Sequence, residues 1–133
     1  MTNNEKQLIE SYVDERASRY FDIFQGLKGQ VTISRITAKS ISGWHKHKNQ
    51  TDQFFVVKGH LRLTVVSPTG IVQVQTLSDG IPMTVTVHPN YWHGWRALEE
   101  DVILIYYLDR KHDESDEFRC SEEQMKSDFG IEL

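Results

Sequence analysis

Cysteine is nearly missing from this chain: Cys120 stands alone in 133 residues. A lone thiol cannot form an internal disulfide, so nothing in the sequence demands an oxidising compartment. Basic excess is missing too. Fifteen Lys and Arg face 19 Asp and Glu, a net charge of -4, which leaves no electrostatic footprint for nucleic acid. No apolar run approaches the ~20 residues that a membrane-spanning helix needs. The opening "MTNNEKQLIE" is polar and has no signal-peptide core. Repeats, low-complexity tracts and a second-domain linker are also absent. The expectation is a cytoplasmic, globular, single-domain protein without a membrane or nucleic-acid partner.

What is present divides into three stretches. Residues 1–30 read as a helical arm, with a helix over 4–20. Asn4 and Gln7 are spaced as a capping box, and Leu8, Ile9, Tyr12, Val13 and Tyr20 recur at roughly helical spacing. Residues 31–110 read as eight short strands: "VTISRITA", "ISGWHKH", "DQFFVVKG", "HLRLTVVS", "IVQVQTL", "MTVTVHP", "WHGWRAL" and "DVILIYYL". Turn residues such as "SPTG" and "SDG" separate many of them, and no helical pattern interrupts, which argues for an all-β sandwich or barrel. "FFVV" and "VILIYYL" do not alternate, so both of their faces should be covered, by the N-terminal helix or by a second subunit. Residues 111–133 form a charged tail with a short helix over 121–129, where Ser121 and Gln124 are spaced for a second capping box.

Chemistry concentrates in "GWHKHKNQTDQFFVVKG". His45 and His47 lie two apart, which on a strand puts both imidazoles on one face. Asp52 follows, and can face them if its strand pairs beside theirs. "PNYWHGW" supplies His93 from far downstream. Three imidazoles and a carboxylate inside a barrel suit a divalent first-row metal; the same groups suit acid–base chemistry, since imidazole titrates near neutral pH. Trp44, Phe54 and Trp95 are expected near the pocket. Lys46, Lys48 and Lys58 are candidates to meet an anionic small molecule. His60, His88 and His112 read as ordinary surface or structural histidines.

These residues resemble the cupin superfamily. Its first motif, G-x5-H-x-H-x3,4-E-x6-G, is matched by His45, His47, Asp52 in place of the glutamate, and Gly59. Its second, G-x5-P-x-G-x2-H-x3-N, aligns His88 with the proline, Asn90 with the glycine, His93 with the histidine and Ala97 with the asparagine. Asn suits the glycine position because it tolerates left-handed backbone. "SGWHKHK" is also similar to the R-G-x-H-A-H-K signature of dTDP-sugar 3,4-ketoisomerases, and to the R-G-x-H-x-Q of dTDP-4-dehydrorhamnose 3,5-epimerases. Ser42 replaces the arginine, so Arg35, Lys46 or Arg62 would have to compensate in diphosphate recognition.

The resemblance implies a double-stranded β-helix, or jelly-roll barrel, here with a short N-terminal helix. It implies a metal site of His45, His47, Asp52 and His93 for iron, manganese, nickel or zinc, or no metal if the ketoisomerase likeness governs. It implies His45 and His47 as base candidates and Tyr106 or Tyr107 as the acid. The function expected is a sugar or nucleotide-sugar isomerase or epimerase, active as a homodimer. The alternatives are a metal-dependent cupin oxygenase and a non-catalytic ligand-sensing cupin.

Overall fold

A computed structural model describes Lys6 and residues 8–133. Eleven strands form two antiparallel sheets that face each other. They are β1 (Ser11–Val13), β2 (Ala17–Tyr20), β3 (Gln30–Ile36), β4 (Ile41–His47), β5 (Asp52–Lys58), β6 (His60–Val66), β7 (Val72–Ser78), β8 (Thr84–Val87), β9 (Trp92–Ala97), β10 (Val102–Leu108) and β11 (Glu117–Cys120). One sheet runs β1-β2-β3-β10-β5-β8 and the other β11-β4-β9-β6-β7. All eight strands expected between 31 and 108 are present, in the jelly-roll arrangement. No helix among the described residues is long and apolar enough to cross a membrane.

The N-terminal helix expected over 4–20 is not formed among the described residues; Asn4 and Gln7 lie outside them. Ser11–Val13 and Ala17–Tyr20 are instead a hairpin laid against β3, with Val13 opposite Ser18. Asp14 explains the difference. Its carboxylate takes the amides of Arg16 and Ala17 at 2.9 and 3.0 Å, turning the chain where a helix would have continued. The spacing of Leu8, Tyr12 and Val13 matched a helical stripe, yet none of the three is buried.

Alternation sorts side chains between the layers. The main core lies between the sheets, from Leu61, Leu63, Val65, Phe54, Val56, Trp95 and Leu104. A second cluster lies on the outer face of the β4 sheet. There Trp44 and Val66 are covered by Met125 of α1 (Glu122–Phe129) and by Leu133. The charged tail is therefore an ordered cover, and β11 within it was not foreseen. Ser121 caps α1 by accepting the Gln124 amide at 3.1 Å, while the Gln124 side chain turns to Asp128, so only half of the expected capping box forms. A Cβ on Gly94 would crowd the Ser42 carbonyl oxygen at 3.1 Å and push aside the end of the Leu133 side chain in this cover.

The outer face of the other sheet has no such cover from the described residues. Ile105 stands between Ile33 and Phe55, with Val57, Ile103, Val31 and Tyr107 on the same face. Phe55 and Ile105 stay partly exposed and Val57 is 45% exposed. An apolar sheet face of this kind favours a partner surface. The expected outcome in light scattering at micromolar concentration is twice the monomer mass, lost on replacing Phe55 and Ile105 by Lys. A native protein that scatters as a monomer removes the homodimer.

Candidate metal centre and pocket

The site begins with an extra residue. On β4, Ser42 pairs with Trp95 and His45 pairs with His93, so three steps on β4 oppose two on β9. This β-bulge falls at Gly43 and Trp44 and reverses the alternation beyond it. Ser42 faces the interior, Trp44 turns out to the cluster under α1, and His45 and His47 face the interior again. Trp44 is therefore not near the pocket as expected, whereas Phe54 and Trp95 do line it.

Each of three histidines is held by a carbonyl. His45 Nδ1 lies 3.1 Å from the Gly43 oxygen, His47 Nδ1 3.2 Å from that of Asp116, and His93 Nδ1 3.1 Å from that of Tyr91. A carbonyl oxygen only accepts, so each Nδ1 carries the proton and donates it, and in the neutral ring Nε2 is then a bare lone pair. The three residues each offer a nitrogen within 4.8 Å of the others. Opposed on neighbouring strands, the rings of His45 and His93 have centroids 4.4 Å apart.

Asp52 arrives from the other sheet. Its strand pairs with β10 and β8 rather than beside β4, so the carboxylate reaches the imidazoles across the interior. Asp52 Oδ2 lies 3.4 Å from His93 Nε2 and 3.6 Å from His47 Nε2, and Oδ1 accepts from Gln50. The structure thus brings together all four residues named from sequence, with the three imidazoles as the tight group and Asp52 against two of them.

This donor set fits a divalent ion. Imidazole nitrogens and a carboxylate converge in a buried place, and His93 Nε2 has no hydrogen-bond partner. Converging acceptors repel unless a cation or a shared proton lies among them. The carbonyls behind the Nδ1 atoms are the outer contacts that orient imidazole ligands.

Burial, and next the charges of His93 and His47, push His45 down to about 3. A base works best when it titrates near the working pH. His45 therefore suits a ligand, neutral across the physiological range, better than it suits a base. Burial pushes the Asp52 carboxyl up. Protonated His93 and His47, when they carry charge, and the Gln50 amide together outweigh that and hold it below the usual carboxylate range.

Tyr106 shares the pocket, its ring 5.8 Å from Phe54, and Tyr107 lies on the outer face. Burial raises the Tyr106 phenol, with Ser34 and the Arg19 charge pulling partly back. The phenol is thus protonated at neutral pH. The pocket has a volume of about 640 Å³, enough for a small molecule.

The cations expected to serve the pocket do not. Lys46 lies over the Trp92 ring at 4.7 Å, Lys58 and Arg35 line a crevice on the outer face, and Lys48 and Arg62 do not line the pocket. Arg16, Arg19 and Arg119 line it instead. Arg19 sits on the stretch read as helix, and Arg119 on the unforeseen β11, so their direction was hidden. His60 and His88 are exposed as expected, while His112 stands at the pocket mouth.

Asp116 was also missed. Its buried carboxylate accepts the amides of Lys48, Asn49 and Gln50 at 2.9 to 3.1 Å, while its carbonyl holds His47. It ties the loop before Asp52 to the histidine before that loop.

No family model matches this chain, and no curated protein matches it in sequence. Solved structures do. The capsular polysaccharide assembling protein CapF from Staphylococcus aureus superposes with a TM-score of 0.78 at 20% identity over 87% of this chain. Oxalate decarboxylase from Bacillus subtilis superposes with a TM-score of 0.73 at 16% identity over 93%. The alignments cover 32% and 35% of those chains, so this chain spans about a third of each.

Two measurements check the site. In the metal-free protein, a neutral buried His45 contributes stability that is full above its unfolded value of 6.5 and is lost as pH falls toward about 3. Asp52 adds a loss in the same direction, below the ordinary carboxylate value of 3.8. The melting temperature should therefore fall on acidification from pH 6.5, and His45→Gln should flatten that slope. An unchanged slope in the variant means His45 is not the group. Separately, His47→Ala should abolish stoichiometric metal while circular dichroism stays that of a β protein. Unchanged metal content removes His47 from the site. The two sheets, the bulge that aims His45 and His47 inward, and the superpositions agree on one conclusion: this chain has the cupin fold.

Proposed function

We propose that this protein is a cytoplasmic sugar or nucleotide-sugar isomerase or epimerase that moves a proton at a carbon next to a carbonyl. One observation carries the reading. The His45 and His47 imidazoles and the Asp52 carboxylate line one small-molecule cavity with a phenol that keeps its proton, and the buried His93 stands against them. Proton removal next to a carbonyl needs a group to take the proton and a group to stabilise the oxyanion that forms. A divalent ion held by His45, His47 and His93, with Asp52 beside them, would supply charge to that oxygen.

The chain's own groups do the rest. Tyr106 holds a proton at its phenol oxygen and can deliver it to an oxygen or carbon of the bound molecule. Glu117, opposite His47 on β11 and lining the pocket, is a carboxylate able to receive one. Without an ion, the Nε2 atom of His47 is the proton acceptor, its Nδ1 being held by the Asp116 carbonyl. Phe54, Trp95 and Leu104 give the cavity an apolar wall that limits water. The fold shared with a protein described as assembling capsular polysaccharide is consistent with a carbohydrate substrate.

The donor set favours one second reading. Histidines with a carboxylate can leave open positions on iron, which suits an oxygenase.

Solvent exchange separates these. Keto-sugars, free and nucleotide-linked, are incubated in heavy water, and deuterium is followed at the carbons next to the carbonyl. The native protein should exchange, and Tyr106→Phe and His47→Ala should each lose a factor of ~100 to 10,000, the usual contribution of a positioned acid or base. Absence of exchange with every carbonyl sugar ends the isomerase reading, and oxygen uptake would then establish the oxygenase.

A further inference from the structure

Facing the histidines across the cavity, the inner face of the β3 sheet carries a polar row where core residues would be ordinary. Register puts Arg19 opposite Ser34, and Thr32 opposite Tyr106. All four line the same cavity as His45 and His47. Thr32 is 0% and Ser34 2% exposed.

Two of these groups are unsatisfied. Thr32 Oγ1 is buried and makes no hydrogen bond of full geometry, meeting only the Tyr106 phenol, and that weakly. The Arg19 side chain is only 15% exposed, and its one polar side-chain contact among the described residues is to Asp14 Oδ2 at 3.4 Å. That oxygen is already engaged by Arg16 at 3.0 and 3.3 Å. A guanidinium has five N–H donors in a fixed fork. One long shared contact leaves most of them open inside the cavity, where unmet donors are costly.

A neutral hydroxyl or amide of a ligand would answer Thr32 but not the charge of a mostly enclosed guanidinium. Anionic oxygens answer both, since they accept from the fork of Arg19 and from the Thr32 hydroxyl together. The Arg19 charge already reaches the neighbouring phenol, where it favours the ionised form. The other guanidinium carriers differ: Arg16 is spent on Asp14, and Arg119 is 75% exposed and paired with Glu117.

We infer that Arg19, Thr32 and Ser34 form an anion subsite that takes a carboxylate or phosphate group of the molecule whose reacting end lies at His45, His47 and His93. The inference deepens the reading of this cavity as a small-molecule site and gives the substrate an acidic group. The subsite holds the anion on the β3 sheet while the opposite sheet holds the reacting atoms, so the distance between the two ends selects the substrate.

Binding decides the matter without turnover. The full chain as purified is titrated with malonate, inorganic phosphate, glucuronate, glucose 6-phosphate and glucose, and binding is read by calorimetry and by the Arg Nε–H resonances. The native protein should bind malonate or phosphate, and should prefer the acidic sugar that carries the same group over glucose by at least tenfold. The better of malonate and phosphate identifies carboxylate or phosphate as the group. Arg19→Gln should lose at least tenfold in that affinity, and Arg119→Gln should lose little. Thr32→Val removes the unmet hydroxyl at nearly constant shape, so it should melt no lower than the native protein and yet bind the anion more weakly. Anion affinity unchanged in Arg19→Gln, or a native protein that binds neither malonate nor phosphate, overturns the inference. Binding of malonate or phosphate through Arg19 without any acidic sugar leaves the subsite standing and counts against the sugar reading alone.

Discussion

The site depends on one surplus residue in β4. Without the bulge at Gly43 and Trp44, strict alternation from the inward Ser42 would carry Trp44 and Lys46 into the cavity and turn His45 and His47 out. With it, the indole becomes the anchor for α1 and the imidazoles meet His93. The same bulge supplies the Gly43 carbonyl that holds His45 Nδ1, so a single backbone irregularity sets both the direction of the ligand and the nitrogen it presents. The outer layer and the pocket are thus two results of one register shift.

Orientation of the imidazoles matters more here than their number. A histidine pair free to rotate would divide its lone pairs between solvent and site. Carbonyls at Gly43, Asp116 and Tyr91 remove that freedom before any ligand arrives. The charge balance runs across the gap between sheets: acceptors gather around Asp52, and unmet donors gather around Arg19. A molecule with an electron-rich head for an ion and an anionic tail for a guanidinium would relieve both sides together.

Much of this was legible in the sequence, for identifiable reasons. The eight strands from 31 to 108 announce themselves by β-branched runs and turn residues, and the H-x-H spacing marks its own face. Asn90 adopts a positive φ of 68°, as its place at the glycine of the second motif implied. Gly59 at φ 89° closes the first motif where a Cβ would meet the Asp101 carbonyl. The failures were of long range. Leu8, Ile9, Tyr12 and Val13 share a helical period with a strand hairpin, and only the Asp14 turn decides between them. Trp44 looked like a pocket wall because a bulge has no signature in composition. Arg19, Asp116 and Glu117 acquire their roles from strands distant in sequence, which no local pattern reports.

Asp116 gives the molecule an order of completion. The eight core strands end at Leu108, so the barrel can close on contacts that do not involve Asp116. Yet the carbonyl that turns His47, and the carboxylate that gathers the amides of residues 48–50, belong to a residue beyond that barrel, and the strand that runs beside His45 and His47 follows it. A barrel closed without this segment would fix His45 and His93 through their own carbonyls and leave His47 loose. Competence to capture an ion is in this way tied to a segment that the barrel itself does not need.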